Sequence, residues 1–457
     1  MTFTLRLEPG GATISAAPGT PLRELLFPYG VEFPCGGEGT CGNCRVQLTD
    51  GRIILACQEQ LSSDLAVRIG GWEHSILTEH AGQVTRGVGR GIAIDLGTTT
   101  VVAQLIDGET GSVLGVRAEL NSQAAYGADV MTRIGHALTP EGRANLRDTI
   151  RKQVHRMAGE LTAEPVPVVI TGNTAMHHLF GGIDVEPLSR APFDPVNIAP
   201  LREPNLTFVQ PIGGFVGSDI LAGIVATGMD QSTELSVLLD LGTNGEIVAG
   251  TRDRLLCAST AAGPAFEGGR ISCGMRASTG AIATATAVNG AIQTRVLGDT
   301  TARGICGSGL VDIVAAALNL RLISPNGRIE TPTRTLQLQD GLQLLQSDIR
   351  ELQLAKGAIA AGLSILLSRL HASPSDIRHL YLAGAFGNYV RQSSAHRIGL
   401  LPFNDTRIQP AGNASLAGAK LILFMNPDLP ALLRRVEHIP LHADPAFQDA
   451  YIDHMRF

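Results

Sequence analysis

Lysine is almost missing. The 457 residues hold it only at 152, 356 and 420, so arginine carries nearly all the positive charge. None of the three lies in a Gly-x-x-x-x-Gly-Lys-Ser/Thr string, which excludes a P-loop of that type. Charged residues of either sign are few, at 17%, and the net charge is −6. No basic face is therefore on offer to nucleic acid or to an anionic membrane. Aromatic residues are scarce, at 4% with one tryptophan. Long apolar runs are missing too: the longest, such as AIAAGLSILL at 358–367, falls well short of the roughly 20 residues that span a bilayer. The opening MTFTLRLEPGG carries neither a basic nor an apolar targeting region, and a cytoplasmic location is expected. What is plentiful is glycine, 53 residues, and hydrophobic side chains, 44%. That composition belongs to a globular chain of two to four domains with many tight turns.

Three stretches differ in pattern. Residues 1–76 read as strands around a short helix: TFTLRLE and ATISA alternate about a Pro9-Gly10-Gly11 turn, PLRELLFPYG is helical, RVQLTDGRIILAC turns at Asp50-Gly51, and LAVRIG closes the block. Residues 77–90 are polar and glycine-rich and read as a linker. From 91 onward strands and helices alternate, which implies α/β architecture. GIAIDLGTTTVVAQLID (91–107) and VLLDLGTNGEIVAG (237–250) share an apolar strand, Asp-Leu-Gly-Thr and a second apolar strand. The region therefore reads as a duplicated unit, with lobes at 91–235 and 236–457.

Four of the seven cysteines crowd together: Cys35-GGEGT-Cys41-GN-Cys44, then Cys57. Thiolates hold an iron–sulfur cluster, and glycines at 36, 37, 39 and 42 let the backbone wrap one closely. The first spacing is one residue longer than the plant type and is similar to that of adrenodoxin-like ferredoxins. A zinc site or inert thiols are the competing readings; zinc favours paired Cys-x-x-Cys knuckles and only one is present. The order of elements is that of a β-grasp ferredoxin with a 2Fe-2S cluster on Cys35, Cys41, Cys44 and Cys57. Cys257, Cys273 and Cys306 stand apart among apolar and glycine residues and read as core.

Asp95-Leu-Gly97-Thr98-Thr99 puts a carboxylate at a strand end before a tight turn, and Asp240-Leu-Gly242-Thr243-Asn244 repeats the device. Successive N–H groups of such turns can cradle phosphate, and the carboxylate can hold Mg2+ through water. One such hairpin alone reads more readily as a bare turn; two make coincidence implausible. LYLAGAFG at 380–387 runs a strand into a glycine turn that would let a nucleoside approach the backbone, or is an ordinary strand–helix junction.

Two phosphate hairpins and a nucleoside turn in this order resemble the actin, sugar-kinase and heat-shock-chaperone ATPase superfamily, with its duplicated ribonuclease-H-like fold. GSDILAGIVATGM (217–229) and GNASLAGAKLIL (412–423) resemble its two connecting helices, with Gly418-Ala419 as their close contact. The pairing with a ferredoxin, together with GNTAMHHLFGG (172–182), CASTAAGPAFEGGRISCGMRA (257–277), RGICGSGLVD (303–312) and DIRELQLAKGAIAAG (348–362), closely resembles reductive activators of corrinoid proteins. The chain looks like a short form, in which Gly91 follows only a linker where longer members carry middle segments.

The resemblance implies roles. Asp95 and Asp240 would hold Mg2+ and phosphate; Gly97, Thr98, Thr99, Gly242, Thr243 and Asn244 would contact phosphate; Gly384, Ala385 and Phe386 would contact the nucleoside. Asp219 would stand near the metal or attacking water, or cap its helix. Arg350, Gln353 and Lys356 share a helix face that could touch adenine but reads more simply as a solvated stripe, and His177-His178 reads as paired surface or core histidines. Trp72 reads as packing. The implied activity is ATP-dependent transfer of one electron, converting Co(II) to Co(I) in a cobalamin-dependent methyltransferase. An upstream electron donor would be a further partner, and a homodimer is a further expectation. A sugar-kinase-like small-molecule kinase with an accessory cluster, or a non-catalytic redox or nucleotide sensor, are the alternatives.

Overall fold

The computed structural model describes residues 2–8, 13–26, 31, 44–69, 89–127, 129–242, 244–275, 277, 280–298, 300–387, 390–405 and 407–457. Cys35, Cys41, Trp72, Thr243, the turn at 9–11 and linker residues 77–88 lie outside the described residues.

The N-terminal strands are β1 (Phe3–Glu8), β2 (Thr13–Ala16), β3 (Arg45–Leu48), β4 (Ile53–Leu55) and β5 (Leu65–Ile69). They form one sheet of order β2-β1-β5-β3-β4. β1 and β5 are parallel and the other pairs antiparallel. Alternation in β1 sends Leu5 and Leu7 into a core with Leu22 and Leu26 of the helix Leu22–Leu26, and with Val46 and Val67. Asp50-Gly51 does turn the chain, with Gly51 at φ +88° and its N–H donating to Leu48 O at 2.9 Å.

Two six-stranded sheets carry the rest. The first uses β6 (Arg90–Leu96), β7 (Thr100–Asp107), β8 (Val113–Leu120), β9 (Val168–Thr171), β10 (Leu201–Glu203) and β11 (Leu206–Phe208) in the order β10-β11-β9-β6-β7-β8. The second begins with β12 (Ser236–Leu241), β13 (Gly245–Thr251) and β14 (Arg254–Thr260). Small sheets follow, of β15 (Ala281–Val288), β16 (Ala291–Val296) and β17 (Gly304–Ile305), and of β18 (Thr335–Gln337) and β19 (Gln343–Leu345). The second large sheet is completed by β20 (His379–Ala383), β21 (Ile408–Gly412) and β22 (Val436–His438), in the order β21-β20-β12-β13-β14-β22.

Five strands correspond between the large sheets. β11, β9 and β6 run parallel and β7 and β8 antiparallel, as do β21, β20 and β12 with β13 and β14. The central strands β6 and β12 are buried on both faces, which is why they read as near-continuous Ile, Ala, Val and Leu. Each contains one acidic residue, Asp95 or Asp240, at its C-terminal end.

The helix Gln346–Arg369 is long and apolar enough to cross a bilayer by length and composition, but 78% of its apolar window is buried inside the protein. An added Cβ at Gly362 would come within 2.6 Å of Ile247 on β13, so the helix lies directly against the second sheet. Its polar stripe is solvated only at Arg350, which is exposed and donates to Gln353 Oε1 at 2.8 Å. Gln353 and Lys356 are buried. Gln353 Nε2 donates to Met455 O at 2.8 Å and Asn326 O at 3.1 Å, and Lys356 Nζ donates to Arg456 O over the Phe457 ring. Sequence periodicity cannot see this, because the stripe's cover comes from a segment about a hundred residues away.

Candidate functional site

At the end of β6 the chain turns so tightly that an added Cβ at Gly97 would lie 2.7 Å from Thr100 O. Gly97 N–H donates to that same carbonyl at 3.1 Å, closing a turn over Thr98 and Thr99. The second hairpin has the matching bond, Gly242 N–H to Asn244 O, also at 3.1 Å. Each hairpin is thus closed by one short-range bond from its glycine N–H. Thr243, expected among the phosphate contacts, lies outside the described residues.

The carboxylates these hairpins carry meet between the two sheets. Asp95 accepts from Asn413 Nδ2 at 2.9 Å and from Ser415 Oγ at 2.8 Å. Burial raises its carboxyl above the usual range, and those two hydrogen bonds oppose the rise. Asp240 is pushed up to about 7 by burial and by the charge of Asp95. Asp219 is also pushed up to about 7, by burial first, then by Asp240 and more weakly by Asp95. No basic side chain is among the groups that shift Asp219 or Asp240. The three residues keep partial exposure, so the acidic cluster opens to solvent on one side. Asp219 is not the helix cap: Gly217 holds that position, and Asp219 sits in the first turn of the helix Ser218–Thr227, accepting from Ile220 N–H at 2.9 Å.

A fourth carboxylate was not singled out from sequence. Glu246 lies directly opposite Asp240 in the β12–β13 ladder, is 9% exposed, and is raised well above the usual range by burial and by Asp219 and Asp240. The signal was legible: two alternating strands about a short turn put Asp240 and Glu246 on one face.

Such crowding of like charges suits a divalent cation. Among the described residues no three His, Cys, Asp or Glu side chains converge to ligate one metal ion directly. Asp95 and Asp240, two carboxylates open to solvent on one side, would fit a Mg2+ held partly through water, as its reluctance to dehydrate favours.

The expected nucleoside turn abuts this cluster. Gly384 has φ +83°, and a Cβ there would lie 2.6 Å from Asp240 Oδ1. Phe386 does not offer its ring to a ligand: it is buried and stacks on Phe266 with centroids 4.5 Å apart, leaving its backbone and that of Ala385 as possible contacts. The two connecting helices touch as closely as expected, since a Cβ at Gly418 would meet Ala222 O at 2.0 Å.

In the N-terminal sheet, Cys44 immediately precedes β3 and Cys57 follows β4. Ala56 N–H donates to Cys44 O at 2.9 Å, so the two cysteines flank the open end of one hairpin. Cys44 is buried and Cys57 half-buried. Two thiols at one hairpin end, with the glycine loop that carries the other two outside the described residues, are a donor set that fits a 2Fe-2S cluster. Cys257 and Cys306 are buried as expected; Cys273 is half-buried and its thiol donates to Gln343 O at 3.3 Å. His177 and His178 are fully buried, bonded to Ala199 O and Thr174 O, and burial lowers both, His177 to about 4. They are neutral core side chains.

Residues 234–457 match the family model described as the C-terminal domain of RACo, the ASKHA domain, and residues 90–232 match that of the RACo middle region. The middle-region match covers 90–232, the stretch expected to be the first ATPase lobe, so the chain carries the middle segment that a short form was expected to lack. The corrinoid activation enzyme RamQ of Eubacterium limosum is 34% identical over 417 residues, covering 80% of this chain and 70% of that one. The Co(II) methylated amine-specific corrinoid protein reductase of Methanosarcina barkeri is 27% identical over 415 residues, covering 79% and 76%. Among solved structures, a reductive activator for corrinoid, iron-sulfur protein superposes with a TM-score of 0.69 at 26% identity, over 100% of this chain and 98% of that one.

Proposed function

Because this chain belongs to the family of reductive activators of corrinoid proteins, we propose that it performs ATP-dependent reduction of a Co(II) corrinoid protein to Co(I). The observation that carries the reading is the meeting of Asp95 and Asp240 from corresponding strand ends of two sheets with the same five-strand pattern. That correspondence supports a duplicated ASKHA ATPase whose two halves grip one nucleotide. The client is a cobalamin-dependent methyltransferase or its corrinoid subunit, and an upstream donor refills the chain with electrons.

Each half has a defined task. Bound at Asp95 and Asp240, Mg2+ would supply positive charge to the phosphates. The turn at Gly97–Thr99 and its counterpart after Asp240 would offer N–H groups to those phosphates, and Gly384 lets the nucleoside turn lie against Asp240. Asp219 and Glu246 stand where attacking water would need a proton acceptor. The β2-β1-β5-β3-β4 order supports a β-grasp ferredoxin, in which Cys35, Cys41, Cys44 and Cys57 would hold a 2Fe-2S cluster, a carrier of single low-potential electrons. For one electron each 59 mV uphill costs about 1.4 kcal/mol. Nucleotide can offset such a gap only if its bound states differ in affinity for the client conformation that accepts the electron.

The test is reconstitution. Full-length protein with its cluster, an artificial low-potential donor and a Co(II) corrinoid protein should form Co(I) only when Mg-ATP is present. Equal conversion without nucleotide would remove the purpose proposed for the ATPase.

A further inference from the structure

Three asparagines to which the sequence reading assigned no role share one arrangement around the first phosphate hairpin. Asn121 caps the turn Ser122–Ala125, its Oδ1 accepting from Gln123 N–H at 2.9 Å, while its Nδ2 donates to Gly97 O at 2.9 Å. Asn173 caps the helix Thr174–Gly181, accepting from Met176 N–H at 2.9 Å, while its Nδ2 donates to Thr98 Oγ1 at 2.9 Å. Asn413 caps the helix Ala414–Met425, accepting from Leu416 N–H at 2.8 Å, while its Nδ2 donates to Asp95 Oδ2 at 2.9 Å. Each amide thus spends its oxygen on a helical turn and its nitrogen on the hairpin. Successive parts of the hairpin are held from three separate elements.

We propose that Asn121, Asn173 and Asn413 are positioning residues that form a clasp, setting the first phosphate hairpin in its nucleotide-ready shape and tying that shape to the junction between the two halves. The inference rests on the reading that this hairpin holds nucleotide phosphate. Fixing Gly97 O from behind orients the Gly97–Thr98 peptide, whose N–H then points the opposite way, toward the phosphate side. Fixing Thr98 Oγ1 sets its hydroxyl. Fixing Asp95 Oδ2 leaves the carboxylate one orientation, with Ser415 Oγ on its other oxygen and Thr171 Oγ1 2.9 Å behind that hydroxyl.

Asn413 differs from the other two in where it stands. It belongs to the helix that rests through Gly418 on Ala222 O of the helix bearing Asp219. A change in the angle between these helices would pull on Asp95 through Asn413, and occupancy at Asp95 would resist that change. The amide is the physical link between nucleotide and the relation of the halves.

Asparagine and aspartate cap helices about equally well, but only asparagine carries the donor. Asn413→Asp, Asn173→Asp and Asn121→Asp therefore separate the two roles. In the full-length protein half-buried Asn173→Asp should keep the wild-type unfolding temperature without ligand to within a few degrees, whereas Asn121→Asp and Asn413→Asp, which set a carboxylate against Gly97 O and Asp95, should lower it. Mg-ATP affinity by calorimetry and turnover should be measured beside wild type. Asn413→Asp should weaken Mg-ATP binding by about tenfold or more, since a donor to a charged acceptor becomes a repelling carboxylate. The affinity for nucleotide without Mg2+ should fall further than that for Mg-ATP, because the added negative charge repels bare phosphate more than the magnesium complex. A merely structural role would move both affinities together. Asn413→Ala, which loses cap and donor, should lose stability as well. If Asn413→Asp fails to fold, Asn173→Asp carries the same comparison. Wild-type Mg-ATP binding and turnover in all folded Asn→Asp variants would overturn the clasp. Absence of Mg-ATP binding in the wild-type protein would instead overturn the nucleotide reading on which it rests.

Discussion

Asp240 stands at the focus of the acidic cluster, and its surroundings make a signed prediction. With a folded value of about 7 against 3.8 in an ordinary setting, it keeps its proton over a range where the unfolded chain has released it. Its contribution to stability is thus fully present below about pH 3.8 and is lost as pH rises through about 7; Asp219 behaves alike. We expect Asp240→Asn to flatten that loss, so that the ligand-free variant unfolds at a higher temperature than wild type at about pH 8. The same variant should lose Mg-ATP turnover by at least about a hundredfold, because a neutral amide supports the cation poorly. Thermal melts across pH and a phosphate-release assay check both halves; a variant neither stabilised at high pH nor impaired in turnover would contradict the site. Gly384→Ala tests the neighbouring contact. Its Cβ must enter at φ +83° and within 2.6 Å of Asp240 Oδ1. We expect a loss of about 1–2 kcal/mol from the left-handed backbone and weaker Mg-ATP binding from the displaced carboxylate, both readable by calorimetry. At this scale the two Asp-x-Gly-Thr turns were legible, because acid, glycine and strand end lie within a few residues. Glu246 was legible in principle, through alternation across the hairpin. The asparagine amides were not, because a cap rule identifies the oxygen's partner and says nothing of where the nitrogen points.

At the scale of elements, the connecting helices Ser218–Thr227 and Ala414–Met425 depend on small residues where they cross. Gly418 allows an approach in which an added methyl group would sit 2.0 Å from Ala222 O, a backbone atom that cannot swing aside. Gly418→Ala should force the helices apart and cost about 1–3 kcal/mol, measured by denaturant unfolding. Since the first of these helices carries Asp219 and the second carries Asn413 and Ser415, Mg-ATP affinity should fall in the same variant. An unchanged affinity would mean that the helix crossing and the site are mechanically independent. Both helices and their glycine contact were expected from the resemblance of their strings to the connecting helices of the ATPase superfamily. The helix Gln346–Arg369 was readable as a helix but not as a floor for the C-terminal segment, because the partners of Gln353 and Lys356 are backbone carbonyls of Asn326, Met455 and Arg456, which no side-chain pattern announces.

For the whole molecule, the proposed electron carrier and the proposed ATPase are built on different sheets, so their metals should be separable by mutation. Cys44→Ser or Cys57→Ser should abolish the visible iron–sulfur absorption of anaerobically purified protein while leaving Mg-ATP binding intact. Cys257→Ala, Cys273→Ala and Cys306→Ala should keep about two irons and two sulfides per folded chain. Loss of the cluster in any of those three would reassign its ligands. Asp240→Asn, conversely, should keep the full iron–sulfur spectrum.

What the sequence determined by itself was local chemistry. Four cysteines around a glycine loop, a carboxylate before each tight turn and central strands apolar on both faces all rest on neighbours within about two dozen residues. Their physical preferences survive in almost any surroundings. Only the tertiary structure decided which groups became a site. It brought Asn413 and Ser415 to Asp95 across more than three hundred residues, set Glu246 and Asp219 beside Asp240, turned the ring of Phe386 onto Phe266 and covered Lys356 with the chain's last residues. Burial and long-range contact belong to the packed whole. A carboxyl's proton affinity and an amide's direction follow from those surroundings, so neither can be read from the residues on either side.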